Sequence, residues 1–215
     1  MVGIVRRYPV PFCYAGVVAA VSLVWGYGLG PEQQRGFLGW ASTNVANLTV
    51  RPVTSMIVSA FVAQETMALW SVMILVGLGP LVHRFGNMRS IGLVLAAHVT
   101  GTLISQGITA LRLAVGAAPD AVRYMHDVGP SYVVVSAQIA VVFYGHSWWH
   151  RAIALGSWLM LAPFLFGGLG DWDVAAIGHL SAMITGAVAG GLLVRRTPAT
   201  LRGANRDAVN AVSLS

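Results

Sequence analysis

Six apolar stretches dominate this chain: Val10 to Leu29, Val53 to Leu78, Ile91 to Leu111, Val128 to Gly145, Ala152 to Leu169 and Val174 to Val194. Each has roughly the 17 to 25 residues that a helix needs to cross the hydrocarbon core. Lipid offers no partner to an open backbone, and the ten-residue alternation of a membrane barrel is missing, so the runs are expected to be helices. Composition agrees. Only 9% of the 215 residues are charged and 56% are hydrophobic, which excludes an ordinary water-soluble domain. The expectation is an all-α membrane domain over residues 1–196, followed by a polar tail over 197–215.

The net charge of +6 comes from 13 basic residues, all of them arginine, and they flank the apolar runs instead of forming one basic face. Nucleic acid is therefore excluded as a partner, and the arginines are read as orientation signals. Arg6, Arg7, Arg84, Arg89, Arg151, Arg195, Arg196, Arg202 and Arg206 share one side if the N-terminus is cytoplasmic. Glu32, Asp120, Asp127, Asp171 and Asp173 fall on the other, with Arg35, Arg51 and Arg123. Both termini are thus expected in the cytoplasm, in a multi-pass protein of the cell membrane. The lone Cys13 rules out a disulfide framework, and His83, His146 and His150 on one side with His126 on the other do not form one metal set. No phosphate loop or zinc-protease motif appears, so no metal and no cofactor is expected.

Chemistry concentrates in two runs that start on the external side. The fourth opens His126-Asp127-Val128-Gly129-Pro130-Ser131-Tyr132, and the sixth contains Gly178-His179-Leu180-Ser181-Ala182-Met183-Ile184-Thr185-Gly186. At about 1.5 Å of rise per residue, Ser131 and His179 lie at similar shallow depths, and one intervening span makes the two helices parallel. Gly178, Ala182, Gly186 and Gly190 recur every fourth residue, the small-residue spacing that lets membrane helices pack closely. Pairing an imidazole with a hydroxyl is what activates serine, and the N–H groups of a helix start can stabilise an oxyanion.

At these residues the chain resembles the rhomboid family of intramembrane serine proteases, and more closely its divergent actinobacterial rhomboid-like branch. Gly129-Pro130-Ser131-Tyr132 is similar to the family's Gly-x-Ser-Gly turn, and Gly178-His179-x-x-Ala182-x-x-x-Gly186 to its Ala-His-x-x-Gly-x-x-x-Gly helix. The resemblance implies a six-span rhomboid-like bundle in a bacterial plasma membrane. It makes Ser131 the nucleophile and His179 the general base of a dyad that cleaves membrane-anchored proteins. The chain departs from the pattern in three places: Tyr132 stands where glycine is usual, Val135 where an aromatic supports the histidine, and the second run lacks the usual His and Asn. Gly129, Asn44, Asn47, Gln64 and Tyr132 are left as oxyanion or site-lining candidates.

Alternative readings have their own grounds. A serine at a helix start is more often a cap, Asp127 suits the end of a loop before a helix, and Glu65 and His98 inside spans suit packing. The departures favour a non-catalytic rhomboid-like protein that binds transmembrane clients. A small transporter is disfavoured because no inverted repeat or paired broken helices are evident.

Overall fold

The computed structural model describes residues 8–64 and 67–196, so Glu65 and the tail over 197–215 lie outside the described residues. Among the described residues every element is helical. Helix α1, Pro9–Leu23, widens into a π turn over Val24–Gly28. Three short helices follow: α2 Pro31–Ala41, α3 Val45–Val50 and α4 Pro52–Ser59. The long ones are α5 Met67–Phe85, α6 Asn87–Ala114, α7 Ser131–Tyr144, α8 Trp148–Phe166 and α9 Val174–Arg195. Helices α1 with its π turn, α5, α6, α8 with the turn after it, and α9 are the five long and apolar enough to cross a membrane.

The remaining apolar helix, α7, has 14 residues, or about 21 Å. Every residue from Tyr132 to Val141 is buried, as expected of a helix that is apolar on all sides. It packs against α5, α6, α8 and α9 and is the axis of the bundle. Gln138, fully buried on it, donates a 3.0 Å hydrogen bond to Ser157 Oγ of α8, a side-chain link of the kind that joins helices where no water competes.

One expectation needs correction. The apolar run from Val53 to Leu78 is not a single helix: it breaks after α4, and the span begins only at Met67. A break at membrane depth is tolerated only where protein satisfies the freed backbone groups. Here Tyr14 Oη donates to Ala60 O at 2.7 Å, His98 Nε2 to Met56 O at 2.8 Å and the Gly129 N–H to Ser59 O at 2.8 Å. Helices α1 and α6 and the turn before α7 thus hold the break in place. His98 has this packing role.

Helix α9 lies against α6 and α7 along its small residues. A Cβ on Gly186 would stand 2.5 Å from Ser136 O and 2.8 Å from Ser136 Cα, and one on Gly190 2.6 Å from the Tyr144 ring. Seen from α6, a Cβ on Gly101 would lie 2.9 Å from Gly178 O and 3.3 Å from Ala182 Cβ. The backbone at Gly186 has no flexible neighbour to push aside. Gly186→Leu is predicted to destabilise the fold by about 3 kcal/mol or more, beyond ordinary overpacking, and to lower the folded yield in detergent. Gly92→Leu, at a helical glycine with open space around it, is the control that should leave the yield unchanged.

Candidate active site

The loop before α7 is shaped by its residue types. Gly129 has φ +138°, which disfavours any residue with a side chain, and Pro130 caps the helix whose first residue is Ser131. The Gly129 N–H is occupied by Ser59 O. Ser131 is half-buried, and its Oγ lies 3.7 Å from where a Cβ on Gly129 would be. The hydroxyl therefore folds back over the glycine turn. The first N–H groups of α7 have no acceptors within the helix and face this turn as donors.

His179 is buried on α9, and its Nδ1 is 2.7 Å from Leu165 O. A carbonyl can only accept, so Nδ1 carries a proton, and it is Nε2 that presents a lone pair when the ring is neutral. Leu165 is the penultimate residue of α8, where carbonyls lack partners within the helix. The helix end and the imidazole thus satisfy each other. Nε2 is buried and has no hydrogen-bond partner, so Ser131 and His179 are not joined in this arrangement.

Tyr132 occupies the space beside the imidazole. Its ring meets that of His179 edge-on, with centroids 5.1 Å apart at 81°, and that of His98 at 5.9 Å. A Cβ on Gly178 would run into the Tyr132 hydroxyl. The bulky residue after the serine therefore fits because Gly178 on α9 has no side chain, and its ring takes up a contact on the histidine that Val135 cannot make.

The Tyr132 hydroxyl is held by Asp127, at 3.2 Å from Oδ1 and 3.1 Å from Oδ2. Gln106 Nε2 of α6 donates to Oδ2 at 3.1 Å and Thr43 Oγ1 at 3.2 Å. Asp127 O accepts from Thr43 N at 3.0 Å, and Asp127 N donates to Ser42 Oγ at 2.7 Å. Asp127 is thus more than the loop end read from the sequence: it clasps the segment between α2 and α3, α6 and α7 together. Thr43, Gln106 and the Leu165 carbonyl were not singled out from the sequence; an amide within an apolar run was the one available signal, at Gln106.

The other candidates are spread around this clasp. Asn44 Oδ1 caps α3 by accepting from Asn47 N at 2.9 Å, and Asn47 Nδ2 donates to Gly39 O and Ser42 O at 2.7 Å each. Their amides fold the connection between α2 and α3. Gln64 is exposed on the segment after α4, two residues beyond Val62, whose carbonyl lies 3.9 Å from the Cβ position at Gly129. Among the described residues no group of three or more His, Cys, Asp or Glu is placed to hold a metal ion. At the opposite end His83 does gather with His146 and His150, with ring centroids 5.3 and 5.7 Å apart.

Burial pushes the Asp127 carboxyl above its usual range, against the pull of Gln106, Tyr132 and Thr43, which favour the ionised form. The folded chain then keeps a proton that the unfolded chain has lost. This contribution to stability is complete below the ordinary aspartate value and is lost as pH rises through the raised native value. Thermal denaturation of the detergent-solubilised protein should show a midpoint that rises on acidification through that window. Asp127→Asn, which keeps an acceptor for Tyr132, should flatten the rise; an unchanged slope would assign it to other groups.

A family model described as Rhomboid-like protein matches residues 3–199. No curated protein matches the chain. No solved structure matches it either. Since the family match covers nearly the whole sequence, the break before α5, the buried α7 and the seam between α7 and α9 belong to a multi-pass membrane protein of the rhomboid-like family.

Proposed function

We propose that this chain is an intramembrane serine peptidase that cleaves membrane-anchored protein substrates, with Ser131 as nucleophile and His179 as general base. The observation that carries this reading is the His179 imidazole: Nδ1 is fixed on Leu165 O, and a buried lone pair at Nε2 has no partner. A general base needs that state. In the reaction Ser131 Oγ turns from Gly129 towards Nε2, gives it the proton and bonds to the scissile carbonyl carbon. The oxyanion faces the N–H groups that open α7. The proton then passes from Nε2 to the leaving amine, and water releases the acyl group by the same base. No acidic third member is needed, because a carbonyl already holds the ring. Tyr132 braces the imidazole from the side.

In the same reading α7 is the fourth of six crossings of a bacterial plasma membrane, and both termini face the cytoplasm, an orientation that the arginine distribution supports. Reporter fusions at the N-terminus and after Arg206 should both report the cytoplasm; an external signal from either would reject this orientation.

A second reading has its own observation. The Ser131 hydroxyl lies over Gly129 and makes no hydrogen bond to Nε2, which suits a non-catalytic protein that binds transmembrane clients. Cleavage of a transmembrane reporter separates the two. Ser131→Ala and His179→Ala should each reduce it by roughly a thousandfold or more, and the double variant should lose little further, because the two act as a unit. A serine-directed fluorophosphonate should label the wild type and not Ser131→Ala. Cleavage retained in both single variants would reject the dyad. A wild type that crosslinks clients but neither cleaves nor labels would establish the second reading.

A further inference from the structure

The end of α7 remote from Ser131 carries a second polar arrangement that the proposed peptidase reaction does not use. Helix α5 ends His83-Arg84-Phe85, and α8 opens Trp148-Trp149-His150-Arg151. Arg84 Nε donates to Tyr144 O and Arg151 Nε to Gly145 O, both at 3.1 Å. Carbonyls at a helix C-terminus lack intrahelical donors and carry partial negative charge, so each guanidinium is anchored by its Nε. The terminal Nη donors of both have no hydrogen-bond partner among the described residues, and the one ion pair found there joins Arg123 to Asp120. The described acidic residues, Glu32, Asp120, Asp127, Asp171 and Asp173, belong to the connections at the Ser131 end. Two anchored cations therefore face one space that holds no counter-charge among the described residues.

That space is a cavity of about 280 Å³, lined by both arginines, His146, Phe143 and Tyr144. Guanidinium forks match the oxygens of a phosphate group better than an ammonium does. Beside the cavity, Trp148 and Trp149 stack with centroids 3.6 Å apart, and both are exposed, at 63% and 60%. Exposed tryptophans at the end of a membrane helix mark the headgroup layer. Basic pockets between helices at that level suit anionic lipid headgroups.

We propose that the cavity between Arg84 and Arg151 is a binding site for a phosphate group, a chemistry shared by an anionic phospholipid headgroup and free phosphate. The tryptophan pair beside it points to the lipid. Bound there, the phosphate accepts from both guanidiniums, offsets part of their charge and ties α5 to α8 across the end of α7.

The test uses the full chain in a non-ionic detergent, with short-chain phosphatidylglycerol, phosphatidylcholine of the same chain length and inorganic phosphate as probes. Binding is read by native mass spectrometry and by the shift in thermal midpoint. Phosphatidylglycerol should bind and raise the midpoint more than phosphatidylcholine does. Arg151→Gln should weaken its binding about tenfold, the loss of one charge-assisted contact, and Arg84→Gln with Arg151→Gln should remove it. Arg89→Gln, a neighbouring exposed arginine that does not line the cavity, should change nothing. If the double variant fails to fold, Arg151→Gln alone decides, since that side chain is exposed. Binding of inorganic phosphate, sensitive to Arg151→Gln, without binding of phosphatidylglycerol would keep the site and reject the lipid source. Binding of neither, or lipid binding reduced as much by Arg89→Gln as by Arg151→Gln, would overturn the proposal.

Discussion

The close approach of α9 to α6 and α7 is the contact on which the rest of this molecule depends. Water supplies no hydrophobic drive between helices in lipid, so association rests on packing, and packing is tightest where side chains are absent. Gly186 meets the Ser136 backbone, Gly190 the Tyr144 ring and Gly178 the Tyr132 hydroxyl. These contacts lie along one face of a helix that also carries His179. The glycine face therefore sets both the seam between the helices and the distance at which the imidazole faces the start of α7.

Two polar devices then fix the end of that seam nearest Ser131. Leu165 O sets which nitrogen of His179 is protonated, and the Asp127 clasp sets where Tyr132 and the turn before it lie. The clasp also reaches Thr43, so the long connection between α1 and α5 is tied to the same point as the helix that begins at Ser131. Ser59 O, at the end of α4, holds Gly129 from the other side. Thr43, Asp127 and Tyr132 are buried, so a clasp of this kind is either complete or costly.

Hydropathy and spacing carried much of this. The long apolar helices, the helix start at Ser131 and the stripe of small residues on α9 could all be read from residue type and period. The break after α4 could not, because its residues are as apolar as the span that follows, and its stability comes from Tyr14, His98 and Gly129, distant in sequence. Asp127 was seen, but its role was not. That role depends on Gln106 and Thr43 arriving from elsewhere in the chain, and a backbone carbonyl such as that of Leu165 leaves no trace in side-chain chemistry. Tyr132 looked like an obstruction in the motif, and only the missing side chain at Gly178 makes room for it.

Helix α7 is too short to match a bilayer, yet its neighbours surround it and lipid does not touch most of its length. Mismatch between protein and membrane is felt by surfaces that lipid wets, so a thicker or thinner bilayer acts on the surrounding helices and not on α7 itself. With its far end held by Arg84 and Arg151, the helix works as a ruler internal to the protein. The separation of the Ser131 turn from those arginines is set by the length of α7, about 21 Å, and that length is the same whatever the thickness of the lipid around the outer helices.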